Sequence, residues 1–220
     1  MVVIVVCCHD SDRWIEKCVN YLTRTVSQPF EIMLVDNGGN SRLKALIGGP
    51  RVLLKAPASD RPLPFSEVNN FAVAYGGLES ELVCFLNQDT ISRQDWLTPC
   101  VDVLRRDVKV GAVMPLIENY DGTAWDEAFV SCSRAAPFLY DRLQEGVRAT
   151  FDDIPAFVEV PEITAAAMVV RTEVLRKVGP FDPIYGSYYE DYDLCRRITA
   201  AGYKVGICTR GRVGHFGGSV

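Results

Sequence analysis

The chain has 220 residues, 48% of them hydrophobic and 23% charged, which excludes bulk disorder and allows a sizeable core. Its net charge is -5, with Lys and Arg scattered singly, which argues against a nucleic-acid backbone as the main partner. No apolar run approaches the roughly 20 residues that span a bilayer, and residues 1–6 read as a buried strand rather than a signal peptide.

The first two-thirds alternate strand and helix. Residues 2–8 are a continuous apolar strand, as in a parallel sheet covered on both faces. Asp10, Ser11 and Asp12 offer capping side chains before Trp14, Ile15, Cys18, Val19 and Leu22, which repeat with helical spacing. A second strand at 31–35 ends in Asp36-Asn37-Gly38-Gly39. A short helix near 41–47, a strand at 51–55 and a proline-bearing loop at 56–64 follow. Ser66 is expected to cap a helix that buries Val68, Phe71, Ala72 and Tyr75 and stops at Gly76-Gly77. Residues 82–86 are another buried strand, followed by Asn87-Gln88-Asp89, a helix carrying Trp96, Leu97, Cys100, Val101 and Leu104, and a strand at 110–117. Residues 118–160 break the rhythm and read as a loop-rich insertion. Beyond them lie a strand at 162–170, helices at 172–178 and 191–201, and a strand at 203–208. The pattern predicts one α/β domain with a doubly wound, mostly parallel central sheet. The eight cysteines contain no C-x-x-C pair and mostly lie in apolar stretches, so they read as reduced thiols of a cytoplasmic protein.

Ligands of open α/β sheets bind beyond the carboxyl ends of the strands. Asp10, Asp36 and Asp89 fall there, each also explicable as a cap or turn residue. No glycine-rich phosphate loop is present, so a divalent cation held by Asp89 is the substitute expected for a bound diphosphate. Glu190-Asp191-Tyr192-Asp193 opens a helix that buries Leu194, Cys195 and Ile198. Asp191 is in line with that stripe and is expected to point inward. Asp193 is expected to pair with Arg196 or Arg197, and Glu190 lies off the centre of the stripe. His215, set among glycines beyond the last strand, is a candidate second metal ligand.

The ordered set of motifs resembles family-2 glycosyltransferases of the GT-A fold, especially the rhamnosyltransferase-like branch. The resemblance rests on Leu34-Val35-Asp36-Asn37-Gly38, Pro64-Phe65-Ser66-Glu67-Val68-Asn69-Asn70, Phe85-Leu86-Asn87-Gln88-Asp89-Thr90, Val178-Gly179-Pro180-Phe181-Asp182, the run from Glu190 to Arg197, Ala201-Gly202-Tyr203 and His215. It implies an inverting glycosyltransferase moving a sugar from a UDP- or dTDP-linked donor to a hydroxyl of a glycan or lipid-linked glycan. Asp191 would be the catalytic base. Cys8, Asp10, Asp36, Asn37, Asn70, Asn87, Gln88 and Asp89 would bind the nucleotide sugar, and Glu190 would contact the acceptor. Mg²⁺ or Mn²⁺ would sit on Asp89 and His215. Residues 1–117 would form the nucleotide-binding half, 118–160 a variable insertion and 161–220 the acceptor and catalytic half. The location implied is cytoplasmic, a reading compatible with peripheral attachment at the inner face of the membrane. Three departures from the family pattern stand out: Asn87 replaces the first Asp of D-x-D, Gly39-Asn40 stands where Ser-Thr or Ser-Ser is usual, and Ala72 takes a position that is often Gly. A non-catalytic nucleotide-sugar-binding module and a nucleotidyltransferase are the rival readings. The second would want a basic, glycine-rich loop where Cys7-Cys8-His9-Asp10-Ser11 stands.

Overall fold

The computed structural model describes residues 1–47, 52–76 and 79–217. Arg51 of the expected third strand, Gly77 of the expected helix stop, and Gly218 lie outside them.

β1 (Val2–Cys8) is buried along almost its whole length. It pairs in parallel with β2 (Phe30–Asp36) on one side and β4 (Leu82–Leu86) on the other, and β3 (Val52–Lys55) extends the parallel set beyond β2. β-branched residues on both faces suit a sheet covered by helices on both sides. α1 (Ile15–Thr25), which buries Ile15, Cys18, Val19 and Leu22, and α3 (Phe65–Tyr75) supply cover, with the short α2 (Leu43–Leu46) between them in sequence. β5 (Thr90–Ile91), α4 (Leu97–Arg106) and β6 (Val110–Asn119) follow. After α5 (Glu127–Ser133), α6 (Pro137–Gln144) and β7 (Phe157–Glu159), the chain forms β8 (Ala167–Arg171), α7 (Thr172–Val178), α8 (Glu190–Ala200) and β9 (Lys204–His215). Among the described residues the strand order is β3-β2-β1-β4-β8-β6-β9-β5, with β7 also on β9. β8 runs antiparallel to both of its neighbours and β9 returns parallel to β6, giving a mostly parallel sheet.

Four details depart from the sequence reading. Residues 118–160 hold, between their loops, two short helices and a strand that the sequence pattern does not announce. Asp126 starts α5 by accepting from the Phe129 N–H at 3.0 Å, and Pro137 opens α6. Each helix is too short to print a repeating apolar stripe. The strand expected at 162–170 begins only at Ala167, because the backbone before it turns to other partners: Ala165 N–H donates to Asp191 and Ala166 C=O accepts from Asn87 N–H. The last strand does not stop at 208 but continues to His215 through a register shift opposite Pro115 and Leu116. At that shift Gly211 lies against Trp96, where an added Cβ would come within 2.6 Å of the Trp96 carbonyl oxygen. Capping also differs. α3 begins at Phe65 behind Pro64, and the Ser66 hydroxyl is buried without a hydrogen-bond partner among the described residues. Asp12 ties a neighbouring loop, accepting from the backbone N–H of Ser41 and Arg42 at 3.0 and 3.1 Å.

Candidate active site

The carboxyl ends of β1, β2 and β4 open onto a cavity of about 760 Å³, whose far wall is the start of α8. Asn37, Asn87, Gln88, Asp89, Glu190, Asp191 and His215 all line it. Cys8, Asp10, Asp36 and Asn70 do not stand among its lining residues.

Hydrogen bonds explain that division. Asn70 spans α3 and the Phe181 loop: its amide donates to Phe181 C=O at 2.7 Å and accepts from Phe181 N–H at 3.0 Å, so the side chain is spent on the fold. Cys8 is fully buried, and its carbonyl accepts from Asn37 N–H and from the Asn40 amide. Asp36 accepts from Gly38 N–H at 3.0 Å and from Asn40 Nδ2 at 2.7 Å. Asp10 is exposed and left-handed (φ 47°) and lies so close to Gly39 that a Cβ there would sit 1.9 Å from its Oδ1. The Gly39-Asn40 departure is thereby accounted for: the glycine makes room for Asp10, and Asn40 knits the three loops together, also accepting from the backbone and hydroxyl of Ser11.

Two of the lining residues are clamps. Gln88 exchanges hydrogen bonds with the backbone of His9 at 2.8 and 2.7 Å. Asn37 does the same with the backbone of Leu63 at 2.9 and 2.8 Å, fastening the proline-bearing loop to the rim.

Asp89 and His215 face each other across the β5–β9 pairing, in which Thr90 is the register partner of His215. His215 Nε2 is 3.5 Å from Asp89 Oδ1 and 3.0 Å from Asn87 Nδ2, while Nδ1 is 3.1 Å from Asp126 Oδ2. Burial works to lower the His215 pKa, but the bonds to Asp126 and Asp89 outweigh it and raise it to about 9. Burial likewise works against charge on Asp126, and the His215 bond overcomes it, leaving that pKa lowered. The donor set suits a hard divalent cation. The Asp89 carboxylate and the His215 ring nitrogen, 3.5 Å apart, are near enough to share one ion. Among the described residues no group of three or more His, Cys, Asp or Glu could hold a metal alone, so the remaining positions would fall to water and phosphate oxygens. Asp126 carries no motif in the sequence. A lone acid before a short helix reads only as a cap, which it also is.

At the opposite wall, Asp191 accepts from Ala165 N–H at 3.1 Å and from Tyr192 N–H at 2.9 Å. Burial raises its pKa, and the two backbone donors oppose the rise. Asp193 pairs with Arg197 at 2.6 Å. Glu190 differs from expectation: it is only 5% exposed, and its Oε2 has no partner among the described residues. Helical phase does not govern it, because it is the first residue of α8 and follows Tyr189 in the left-handed conformation (φ 72°). Burial, with Asp191 beside it, raises its pKa to about 7. Tyr188 and Tyr189, 76% and 68% exposed, line the mouth next to these acids.

No family model matches the chain. It is 25% identical over 216 residues to the rhamnosyltransferase WbbL of Escherichia coli K12, covering 93% of this chain and 79% of that one. It is 29% identical over 195 residues to the O-antigen biosynthesis protein RfbC of Myxococcus xanthus, covering 86% of this chain but 15% of that protein. An uncharacterized glycosyltransferase of Nostoc matches at 24% over 86% of this chain. Among solved structures, GalNAc-T7 with UDP, GalNAc and Mn²⁺ superposes with a TM-score of 0.71 at 16% identity, over 98% of this chain and 43% of that one. The fold is that of the GT-A glycosyltransferases, and the sequence is similar to glycosyltransferases of the rhamnosyltransferase kind. A second GT-A structure, the mannosyltransferase PcManGT of Pyrobaculum calidifontis with GDP-Man and Mn²⁺, has a TM-score of 0.70 at 17% identity, over 97% of this chain and 56% of that one. The GT-A unit described here spans 56% of the Nostoc relative and 15% of RfbC. Among the described residues no helix is long and apolar enough to cross a membrane.

Proposed function

We propose that the chain is an inverting glycosyltransferase that moves a sugar from a UDP- or dTDP-linked donor to a hydroxyl of a glycan or lipid-linked glycan. One observation carries the reading: a half-buried carboxylate held in place by two backbone amides, Asp191, shares a cavity with the facing pair Asp89 and His215. Asp191 takes the proton of the acceptor hydroxyl. The freed oxygen attacks the anomeric carbon from the face opposite the diphosphate, forming the new glycosidic bond as the bond to the diphosphate oxygen breaks. One in-line displacement inverts the anomeric centre. Asp89 and His215 would hold Mg²⁺ or Mn²⁺, which when bound supplies positive charge against the departing diphosphate. The Mn²⁺ in the solved structures of GalNAc-T7 and PcManGT supports this assignment.

The wall formed by Cys7, His9, Asn37 and Leu63 takes the nucleoside, and Asp36, which lies behind that wall, would accept from a pyrimidine N–H through the oxygen that Gly38 and Asn40 do not use. Glu190, Tyr188 and Tyr189 take the acceptor. Residues 1–117 thus serve the donor and 161–220 the acceptor and the chemistry, in a cytoplasmic protein. The test is turnover by Asp191→Asn beside a titration of UDP-sugar binding. A fall of two or more orders of magnitude with nearly unchanged donor affinity is expected. Near-normal turnover, with loss in Glu190→Gln instead, would move the base to Glu190. Donor binding with no turnover in the wild-type chain across glycan acceptors would leave a binding module.

A further inference from the structure

The two ring nitrogens of His215 have different surroundings. Nε2 faces Asp89 and Asn87 in the cavity, and Nδ1 is 3.1 Å from Asp126 Oδ2, whose side chain is only 10% exposed. Asp126 is held from its other oxygen, since Oδ1 accepts from Phe129 N–H at the start of α5. The backbone closes around the pair. Gly217, left-handed at φ +57°, passes so near that an added Cβ would lie 2.9 Å from Asp126 Oδ2 and 3.3 Å from His215 Nδ1. Phe216 N–H donates to Asp89 C=O at 3.1 Å and its ring packs on Trp14 at 4.4 Å, so the strand end cannot swing away cheaply.

We infer that Asp126 is a positioning residue for the metal site: it takes the Nδ1 proton of His215 in a hydrogen bond and so presents the Nε2 lone pair to the cation. The inference rests on the metal reading proposed above for Asp89 and His215. A histidine that binds metal through one nitrogen needs its proton on the other, and a carboxylate at that proton fixes both tautomer and ring orientation. The segment 118–160 thereby gains a share in the site although it adds no lining carboxylate, and the anchoring of α5 becomes linked to metal affinity.

The measurement is Mn²⁺ affinity in the presence of UDP, read from the electron paramagnetic resonance signal of free Mn²⁺. Asp126→Ser is the decisive variant: its hydroxyl can still cap α5 but is too short to reach His215. Asp126→Asn keeps shape and cap and loses the charge. Both are expected to weaken Mn²⁺ binding 10- to 100-fold. Wild-type affinity in a folded Asp126→Ser protein would make Asp126 a cap only and overturn the inference. Should neither variant fold, the wild-type protein decides. The chain has two histidines, so ¹⁵N ring shifts in a Mg²⁺–UDP complex are readily separated. A proton on Nδ1 with Nε2 bare supports the inference, and the reverse overturns it. A wild-type chain that binds UDP equally with and without Mn²⁺ overturns the metal reading itself, an outcome distinct from a wild type that binds Mn²⁺ alongside a serine variant that binds it as well.

Discussion

Replacing Glu190 by Gln should stabilise the protein at alkaline pH. The carboxyl is almost inaccessible, one oxygen has no partner among the described residues, and its pKa is raised from 4.5 to about 7. The fold therefore prefers the protonated form. The stability this confers is complete below about 4.5 and is lost as pH rises through about 7. At 1.36 kcal/mol per pH unit the loss has an upper bound of about 3.4 kcal/mol. The group borders an open cavity where water screens its charge, which reduces the expected figure to roughly 1–2 kcal/mol. Gln keeps the shape and never ionises, so urea denaturation should show Glu190→Gln more stable than wild type by that amount at about pH 8.5, and the two within a few tenths at about pH 4. Equal stabilities at both pH values, or a more stable wild type at pH 8.5, would mean the carboxylate is solvated or paired, and the argument for its buried state would fail.

Phe85→Ala should cost about 3–5 kcal/mol in the same assay, because the ring is fully buried and packs on Phe181 at 4.6 Å. Asn37→Ala removes both hydrogen bonds to the Leu63 backbone. It should lower stability by about 1–3 kcal/mol and weaken UDP binding measured calorimetrically, since the loop it fastens lines the cavity. His215→Ala should abolish the dependence of UDP binding on Mn²⁺ while leaving the circular dichroism spectrum unchanged. Tyr188→Ala should raise KM for a glycan acceptor with little change in donor affinity, because its exposed ring is at the mouth beside Glu190.

Periodicity made the α/β alternation legible, because buried strands and amphipathic helices print their burial directly, as β1 and α1 do. It failed where structure is set by single contacts. The kink that carries β9 on to His215 depends on Gly211 fitting against Trp96, which no local pattern records. The acids at strand ends could be seen as a group but not sorted. Asp89 lines the cavity, while Asp36 and Asp10 are drawn into the loop network that Asn40 organises. Glu190 is more deeply buried than its place off the apolar stripe suggests, because helical phase says little about a first-turn residue that follows a left-handed turn. Asp126 could not be found at all, since its partner is 89 residues away.

That separation in sequence has a kinetic meaning. Asn87 and His215 are 128 residues apart, and Asp126 and His215 are 89 apart. No segment shorter than these can assemble the cluster, and contacts of such span form late because the loops they close are long. β9 joins them by pairing with β6, β7 and β5, so the cluster completes when the sheet does. A cation bound there favours the closed sheet over every partly paired form, in proportion to the logarithm of its concentration above Kd. During refolding, capture of Mn²⁺ would thus report the pairing of β9 with its neighbours.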